Sequence, residues 1–316
     1  MKHPGSDKPI GGSSIRMRYN GKRCLTVVMV CLILFPLISL VFNNIMFSQN
    51  YEGLEKLKDD FIAEWDAEDP RLIEHIRKNY LYQPKPRNVP YNLLSPDKLD
   101  WSHKKQSQIV EDIFQHKQRG FFYEVGAYDG ETYSNSLSFE KYLDWSGLLV
   151  EPDYANLQKI LEKNRKAWLI HGCLEGSQKP KKMTLYAALE TGSLSTYMNP
   201  VRSFFTRLWR PVRPVEVWCF PLISTLLAVN HTKVDYMVLD VEGAEMSILE
   251  GTPKKTWDRI GVDVFQIEYM VFSGAYWDKD LSRERRSEMR NFMKNSMPEF
   301  EEHSIVFLDL IYARKK

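Results

Sequence analysis

Hydrophobic and polar positions divide this chain into three regimes. Residues 24–42 run for 19 positions without a charge, enough to cross a bilayer core of about 30 Å at about 1.5 Å per residue. Residues 43–116 alternate charged and apolar positions at helical spacing over 53–66 and are then broken into extended segments by Pro84, Pro86 and Pro90. From residue 117 onward, short apolar runs bounded by glycine, proline and acidic residues predict buried strands alternating with helices, the pattern of an α/β domain. Further strands are expected at 168–171, 183–189, 234–239, 263–270 and 303–313, and helices at 155–166 and 282–295.

The densest signal lies in residues 121–152. One apolar run ends in Glu124-Val125-Gly126-Ala127-Tyr128-Asp129-Gly130-Glu131, and the next ends in Val150-Glu151-Pro152. This spacing predicts a strand, a tight glycine turn, a helix and a second strand, with a carboxylate at the tip of each strand, as in a nucleoside-binding α/β unit. Gly126 and Gly130 would let the chain turn sharply and a ligand approach closely, because neither has a Cβ. Glu151 is placed to accept hydrogen bonds from two ribose hydroxyls, since an ionised carboxylate only accepts. The turn lacks the middle glycine that favours a pyrophosphate on a helix N-terminus, which points to S-adenosylmethionine rather than NAD. The plainer reading is a βα turn whose glycines serve folding alone.

A second acidic stretch, Asp240-Val241-Glu242-Gly243-Ala244-Glu245, follows the apolar strand at 234–239. It would place three acids at one strand-to-helix junction, on the edge where open parallel sheets bind ligands. Asp240 and Glu242 are the candidates to attract a cationic cofactor and to act as a general base. Capping of the next helix explains Glu242 and Glu245 equally well.

Together these stretches resemble the FkbM-type methyltransferase family: an acidic residue-x-Gly-Ala turn at Glu124 to Ala127, a Glu-Pro at Glu151-Pro152, and the Asp-x-Glu-Gly-x-Glu signature at Asp240 to Glu245. The resemblance implies a Rossmann-like doubly wound methyltransferase fold of seven strands with an antiparallel last hairpin, which residues 263–270 and 303–313 would supply. It also implies an S-adenosylmethionine pocket formed by Glu124, Gly126, Ala127, Gly130, Glu151 and Asp240.

Charge sets the expected topology. The residues before the apolar run carry Lys2, Lys8, Arg16, Arg18, Lys22 and Arg23 against Asp7 alone, and the fifteen after it hold only Lys56 among lysines and arginines. The positive-inside bias makes 1–23 a cytosolic tail, 24–42 an uncleaved transmembrane signal anchor, 43–116 a lumenal stem and lead-in, and 117–316 a lumenal domain. The chain beyond residue 23 carries 37 basic and 40 acidic side chains, net about −3, so nucleic acid is not an expected partner. Asn230-His231-Thr232 is a glycosylation sequon. Cys173 and Cys219 would either pair in an oxidising lumen or stay as buried thiols. No metal-ligand spacing appears among the histidines and cysteines, and His171 reads as a hydrogen-bonded structural histidine. Arg202, Arg207, Arg210 and Arg213 interleave with Phe204, Phe205 and Trp209, either as a lid or gripping surface or as a solvated basic loop.

The anchor, the proline-broken stem and the Glu124 to Glu131 motif also resemble the Star-like proteins of insects. That resemblance implies a type II protein of the endoplasmic reticulum and Golgi membrane, with endosome or plasma membrane as further stations. Its partner would be a protein cargo such as a membrane-bound growth-factor precursor, a ligand of the epidermal growth factor receptor. Trafficking is therefore the first expectation, and a lumenal S-adenosylmethionine-dependent O-methyltransferase the alternative.

Overall fold

The computed structural model describes residues 60–187, 193–194, 213–273 and 276–316. The expected anchor at 24–42 and the basic–aromatic stretch at 201–212 lie outside the described residues. Among the described residues, no helix is long and apolar enough to cross a membrane.

Strands β1 to β4 are Leu81–Tyr82, Phe121–Val125, Ser146–Glu151 and Trp168–His171, and β5 to β8 are Cys173–Leu174, Lys181–Ala187, Ser193–Leu194 and Arg213–Phe220. After them come β9 (Tyr236–Leu239), β10 (Val264–Glu268), β11 (Phe272–Ser273), β12 (Tyr276–Trp277), β13 (Phe300–Val306) and β14 (Asp309–Arg314). The main sheet has eight strands in the order β1-β4-β3-β2-β9-β10-β14-β13. Strands β4, β3, β2, β9 and β10 run parallel. β14 is antiparallel to β10, and β13 and β1 close the two edges in antiparallel pairs. After the edge strand β1, the chain enters the middle of this sheet at β2, winds outward through β3 and β4, and returns to the other side of β2 at β9. That reversal is the switch point at which open α/β sheets form a ligand crevice.

The central strands are apolar because helices cover both faces. Alternate residues of β2 and β3 serve two cores: Tyr123, Val125, Leu148 and Val150 pack on one side, Phe122 and Leu149 on the other. Gln266 interrupts the apolar run of β10, and its Oε1 accepts from the buried Tyr236 hydroxyl at 2.5 Å.

The structure corrects several expectations. After the Gly126 turn the chain winds through an irregular loop, and its helix, Leu137–Tyr142, begins only at residue 137. Residues 263–270 form the parallel strand β10, whereas the last hairpin is β13 with β14. The lead-in is not a separate stem where it is described. Helix Pro70–Asn79 is capped by Asp69, whose Oδ1 accepts from the Arg71 N–H at 2.8 Å. It buries Leu72 and Ile76 in the core that also holds Leu222 and Leu226 of helix Leu222–Ala228. The next residues, Leu81 and Tyr82, add the eighth strand to β4. The described part of the lead-in accordingly belongs to the same compact unit as the rest of the described domain.

A second sheet, in the order β5-β8-β6-β7, leaves the main one directly after Gly172. Cys173 and Cys219 are register partners in its parallel β5–β8 pair and form a disulfide across 46 residues of chain. Asn230 lies exposed on a turn past helix Leu222–Ala228, with its Oδ1 accepting from Arg77 at 2.5 Å. Closing a loop of that length stabilises a fold mainly by restricting the unfolded chain. Reduction is therefore expected to lower the unfolding free energy by about 2–4 kcal/mol, read from denaturant midpoints with and without reductant. An unchanged midpoint would mean that the two sulfurs are not paired in the protein.

Candidate functional site

A cavity of about 310 Å³ opens at the carboxyl edge of the sheet, over the switch point. Its wall brings together Glu124, Gly126, Ala127, Glu151, Asp240 and Glu242, all expected from the sequence. Gly130 is not in the wall. It sits behind it at φ +76°, where a Cβ would come within 3.1 Å of the Ile160 side chain.

Gly126 is required for a reason other than ligand approach. Its φ is +88°, and a Cβ there would lie 1.8 Å from the carbonyl oxygen of Asp240. The bare Cα lets the turn after β2 press against the end of β9. From this turn the Gly126 and Ala127 N–H groups donate to the Val150 carbonyl at 3.0 and 3.2 Å, and the Tyr128 N–H donates to Glu151 Oε2 at 2.8 Å. Glu151 Oε1 accepts from the Asp153 N–H at 2.9 Å. These donors favour the ionised carboxylate, but burial outweighs them and pushes Glu151 up to about 8.

Farther along the strand order stands a group of acids, of which the sequence indicated only Asp240. Glu268, at the end of β10, lines the same cavity as Asp240, and the Asp240 charge adds to burial in raising it. Asp309, at the start of β14, accepts from Gln106 Nε2 at 2.7 Å. Burial first, and then the neighbouring charges, hold Asp240 and Glu268 well above the usual carboxylate range. Asp240 opens onto the cavity rather than onto bulk water, so its carboxyl is desolvated although its surface is not fully covered. Burial raises Asp309 to about 6, against the hydrogen bonds from Gln106 and Gln266.

Glu245 has a structural part. Its Oε1 accepts from the Val241 and Gly243 N–H groups at 3.0 and 3.1 Å, and its Oε2 pairs with Arg285 at 3.0 Å. The cap of helix Glu245–Gly251 is Ala244, with no side-chain capping bond, so Glu242 does not cap it. Glu242 instead lines the cavity, with its backbone at φ +54°.

A family model described as the methyltransferase FkbM domain matches residues 124–300. The chain belongs to this FkbM methyltransferase family. Solved structures similar to it include a methyltransferase FkbM from Methylobacillus flagellatus KT, with 12% identity and a TM-score of 0.36. That match covers 62% of this chain and 43% of the other, so the chain spans less than half of that protein's length. A putative RNA methyltransferase from Pyrococcus horikoshii matches at 10% identity and a TM-score of 0.34, covering 78% of this chain and 100% of that one. The fibrillarin pre-rRNA processing protein of Methanococcus jannaschii matches at 12% identity and a TM-score of 0.33, covering 68% and 76%. No curated protein matches the chain.

Within this FkbM domain, Glu124 does not present a free carboxylate. Its Oε1 accepts from the Asn135 N–H at 2.7 Å, and its Oε2 accepts from the hydroxyls of Ser134 and Ser136. It therefore organises the loop in front of helix Leu137–Tyr142. His171 lies with Nε2 3.1 Å from the Pro152 carbonyl oxygen, at the back of the Glu151 turn. Cys173, half of the disulfide, belongs to the cavity wall. Sequence reasoning missed the mouth, where His103 packs 4.5 Å from the ring of Tyr133 and 4.9 Å from that of Phe307. Tyr133 and Phe307 are each nearly half exposed. Partial burial and the neighbouring Lys104 charge hold the His103 imidazole below its ordinary range. No local pattern marks His103, Glu268 or Asp309, because each comes from a different element.

Glu151 makes the pH response of the fold testable. Between about 4.5, its unperturbed value, and about 8, the folded protein holds a proton that the unfolded chain has released. Raising the pH through this window therefore destabilises the fold, by up to about 1.4 kcal/mol per pH unit for this one group. Denaturation across pH 5 to 8 is expected to show Glu151→Gln with a flatter stability curve than the parent protein. Parallel curves would place the Glu151 proton elsewhere.

Proposed function

We propose that the FkbM domain binds S-adenosylmethionine and transfers its methyl group to a hydroxyl acceptor. The observation that carries this reading is the relation of Glu151 to Asp240. Both line one cavity, at the ends of strands two places apart in the sheet, a separation of roughly 10 Å at about 4.8 Å per strand. Glu151 would accept from the two ribose hydroxyls. The Asp240 end would face the positive charge of the cofactor, and Gly126 and Ala127 would bring the backbone of the turn against it. The residues fit such a group: the acidic wall is rich in acceptors, and the ligand would be rich in donors and cationic.

When bound, S-adenosylmethionine supplies a methyl group on a cationic sulfur, which leaves as a neutral thioether when an acceptor oxygen forms the new bond and gives up its proton. The chain's own part is chiefly to position the partners and keep water out. The acids Asp240 and Glu268, both held well above the usual carboxylate range, suit charge balance better than proton uptake. Glu242 and the neutral His103 face the same cavity and are the groups to take the acceptor proton. This reading revises the expectation that Asp240 is the base.

The disulfide between Cys173 and Cys219 and the exposed Asn230 favour an oxidising secretory compartment. They favour the expected type II topology with it, and the second reading of a Star-like carrier of a membrane-bound protein cargo draws on that compartment alone.

Calorimetric titration of S-adenosylmethionine and S-adenosylhomocysteine separates the two. Micromolar binding is expected, tightening from pH 6 to 8 as Glu151 gives up its proton, with at least about a tenfold loss in Glu151→Ala, since hydrogen bonds to a charged group are worth about 1.5–3 kcal/mol. A folded protein that binds neither compound at millimolar concentration would sink the methyltransferase reading and leave the carrier.

A further inference from the structure

The cavity of about 310 Å³ is near the lower end of the roughly 300–1,000 Å³ common for ligand pockets, so a nucleoside cofactor would take up its interior. An acceptor then meets the protein at the mouth, and the mouth is aromatic. Tyr133 and Phe307 belong to the cavity wall yet are 47% and 46% exposed. The His103 ring packs 4.5 Å from the first and 4.9 Å from the second.

Backbone strain gathers at the same wall. Among the described residues, Tyr128, Tyr133, Glu242 and Phe307 line the cavity and have left-handed backbone without being glycine. Bulky side chains rarely adopt that conformation. Phe307, at φ +56°, is the first residue of the two-residue turn between β13 and β14, a place that such a hairpin ordinarily gives to glycine or asparagine. Tyr133 stands at φ +59° in the loop before helix Leu137–Tyr142. Neither ring is buried deeply enough for packing to account for its place, and strain kept at a cavity points to a use for the side chain.

The chain beneath each ring is pinned. Tyr269 donates from its hydroxyl to the Phe307 carbonyl at 3.0 Å and from its N–H to the Leu308 carbonyl at 2.9 Å. Beside Tyr133, the Thr132 N–H donates to Asp129 Oδ1 at 2.6 Å and the Ser134 hydroxyl to Glu124 Oε2 at 3.1 Å. His103 lies at 33° to the Tyr133 ring and at 81° to that of Phe307, so the two exposed rings form a corner rather than parallel plates. An aryl ring suits a corner, because it can stack on one ring and meet the other edge to face, the two arrangements aromatic pairs prefer. Proton chemistry agrees. Partial burial and Lys104 hold the His103 imidazole below its ordinary range, and a weak base suits an acidic hydroxyl: a phenol ionises at about 10, whereas water, a guide to an alkyl alcohol, ionises at about 15.7.

Resting on the S-adenosylmethionine reading, we propose that the acceptor is a phenol, its aryl ring seated in the corner of Tyr133 and Phe307 and its hydroxyl turned into the cavity. The phenol oxygen forms the new bond to the methyl carbon, leaving the carbon–sulfur electron pair on a neutral thioether, and gives its proton to His103 or Glu242. Tyr133 and Phe307 are then specificity residues that select a flat, unsaturated ring.

Calorimetry on the full chain saturated with S-adenosylhomocysteine tests this, with phenol, cyclohexanol and methyl glucoside as probes that share a six-membered ring. Phenol is expected to bind at least about threefold tighter than either saturated ring, and Phe307→Gly and Tyr133→Asn each to weaken it about threefold to tenfold. Neither variant should change S-adenosylhomocysteine affinity by more than about twofold, since both rings lie at the mouth. Phe307→Gly is also expected to melt no lower than the parent protein, because glycine relieves the turn, and a merely structural phenylalanine would give the opposite. If Tyr133→Asn does not fold, Phe307→Gly carries the same comparison. Equal binding of the three rings, tighter binding of methyl glucoside, or phenol affinity unchanged in the variants would each overturn the assignment. So would a Phe307→Gly protein that melts lower or loses S-adenosylhomocysteine as it loses phenol. A parent protein that binds S-adenosylhomocysteine but no phenol overturns this inference alone, whereas one that does not bind S-adenosylhomocysteine overturns the cofactor reading and this inference with it.

Discussion

The close approach of the turn after β2 to the end of β9 governs the rest of the site. The Gly126 Cα faces the Asp240 carbonyl with no room for a Cβ, so the two strands on either side of the switch point meet at their carboxyl ends. From that contact the backbone turns in opposite directions, toward Glu151 through Tyr128 and toward the Glu242 loop. The cavity is the space those two departures leave. A side chain at Gly126 would push the strands apart where their carboxylates need to face one ligand.

Buried acids in this domain fall into two groups, and the division separates architecture from chemistry. Glu124, Glu131, Glu140 and Glu245 have hydrogen-bond donors or cations built around them: the Ser134–Ser136 loop, Lys163 at 2.7 Å, Arg165 at 3.0 Å and Arg285 at 3.0 Å. Each joins distant parts of the chain, and Glu131 also receives the Leu94 and Ser95 N–H groups at 2.7 Å, tying the lead-in to the motif loop. Asp240, Glu268, Asp309 and Glu151 gather at the cavity with no cation among the described residues paired to them, and burial raises all four, as it also raises Glu124 and Glu245. An interior that served stability alone would pair or replace such groups. Keeping them where a cationic, donor-rich ligand would sit is the pattern expected of a working site.

Much of the frame was legible in the sequence. β2 ends beside Gly126 and β3 ends in Glu151, as the apolar runs indicated, and β4 occupies 168–171 as expected. Buried parallel strands are continuous apolar segments closed by turn residues, a signal carried by a few adjacent positions. The lead-in misled because its prolines and charges resemble a linker. Leu72, Ile76 and Tyr80 recur every four residues and so share one helix face, but only helix Leu222–Ala228 lying in the same core makes that face part of the domain. Glu124 misled in another way, since its place in the motif says nothing of the serines that wrap its carboxylate.

Local pattern by itself therefore determined the strands, the glycine turn and the acids at the strand tips, because these depend on backbone conformation and burial over a handful of neighbouring residues. Tertiary structure alone decided which acids are held above their ordinary range and that His103 and Phe307 share one mouth. Those properties arise from strand order, which sets Gln106 against Asp309 and Asp240 against Glu268. The electrostatics and hydrogen bonding of a buried group are fixed by whatever the fold places within a few ångströms of it, however far away that neighbour lies in the chain.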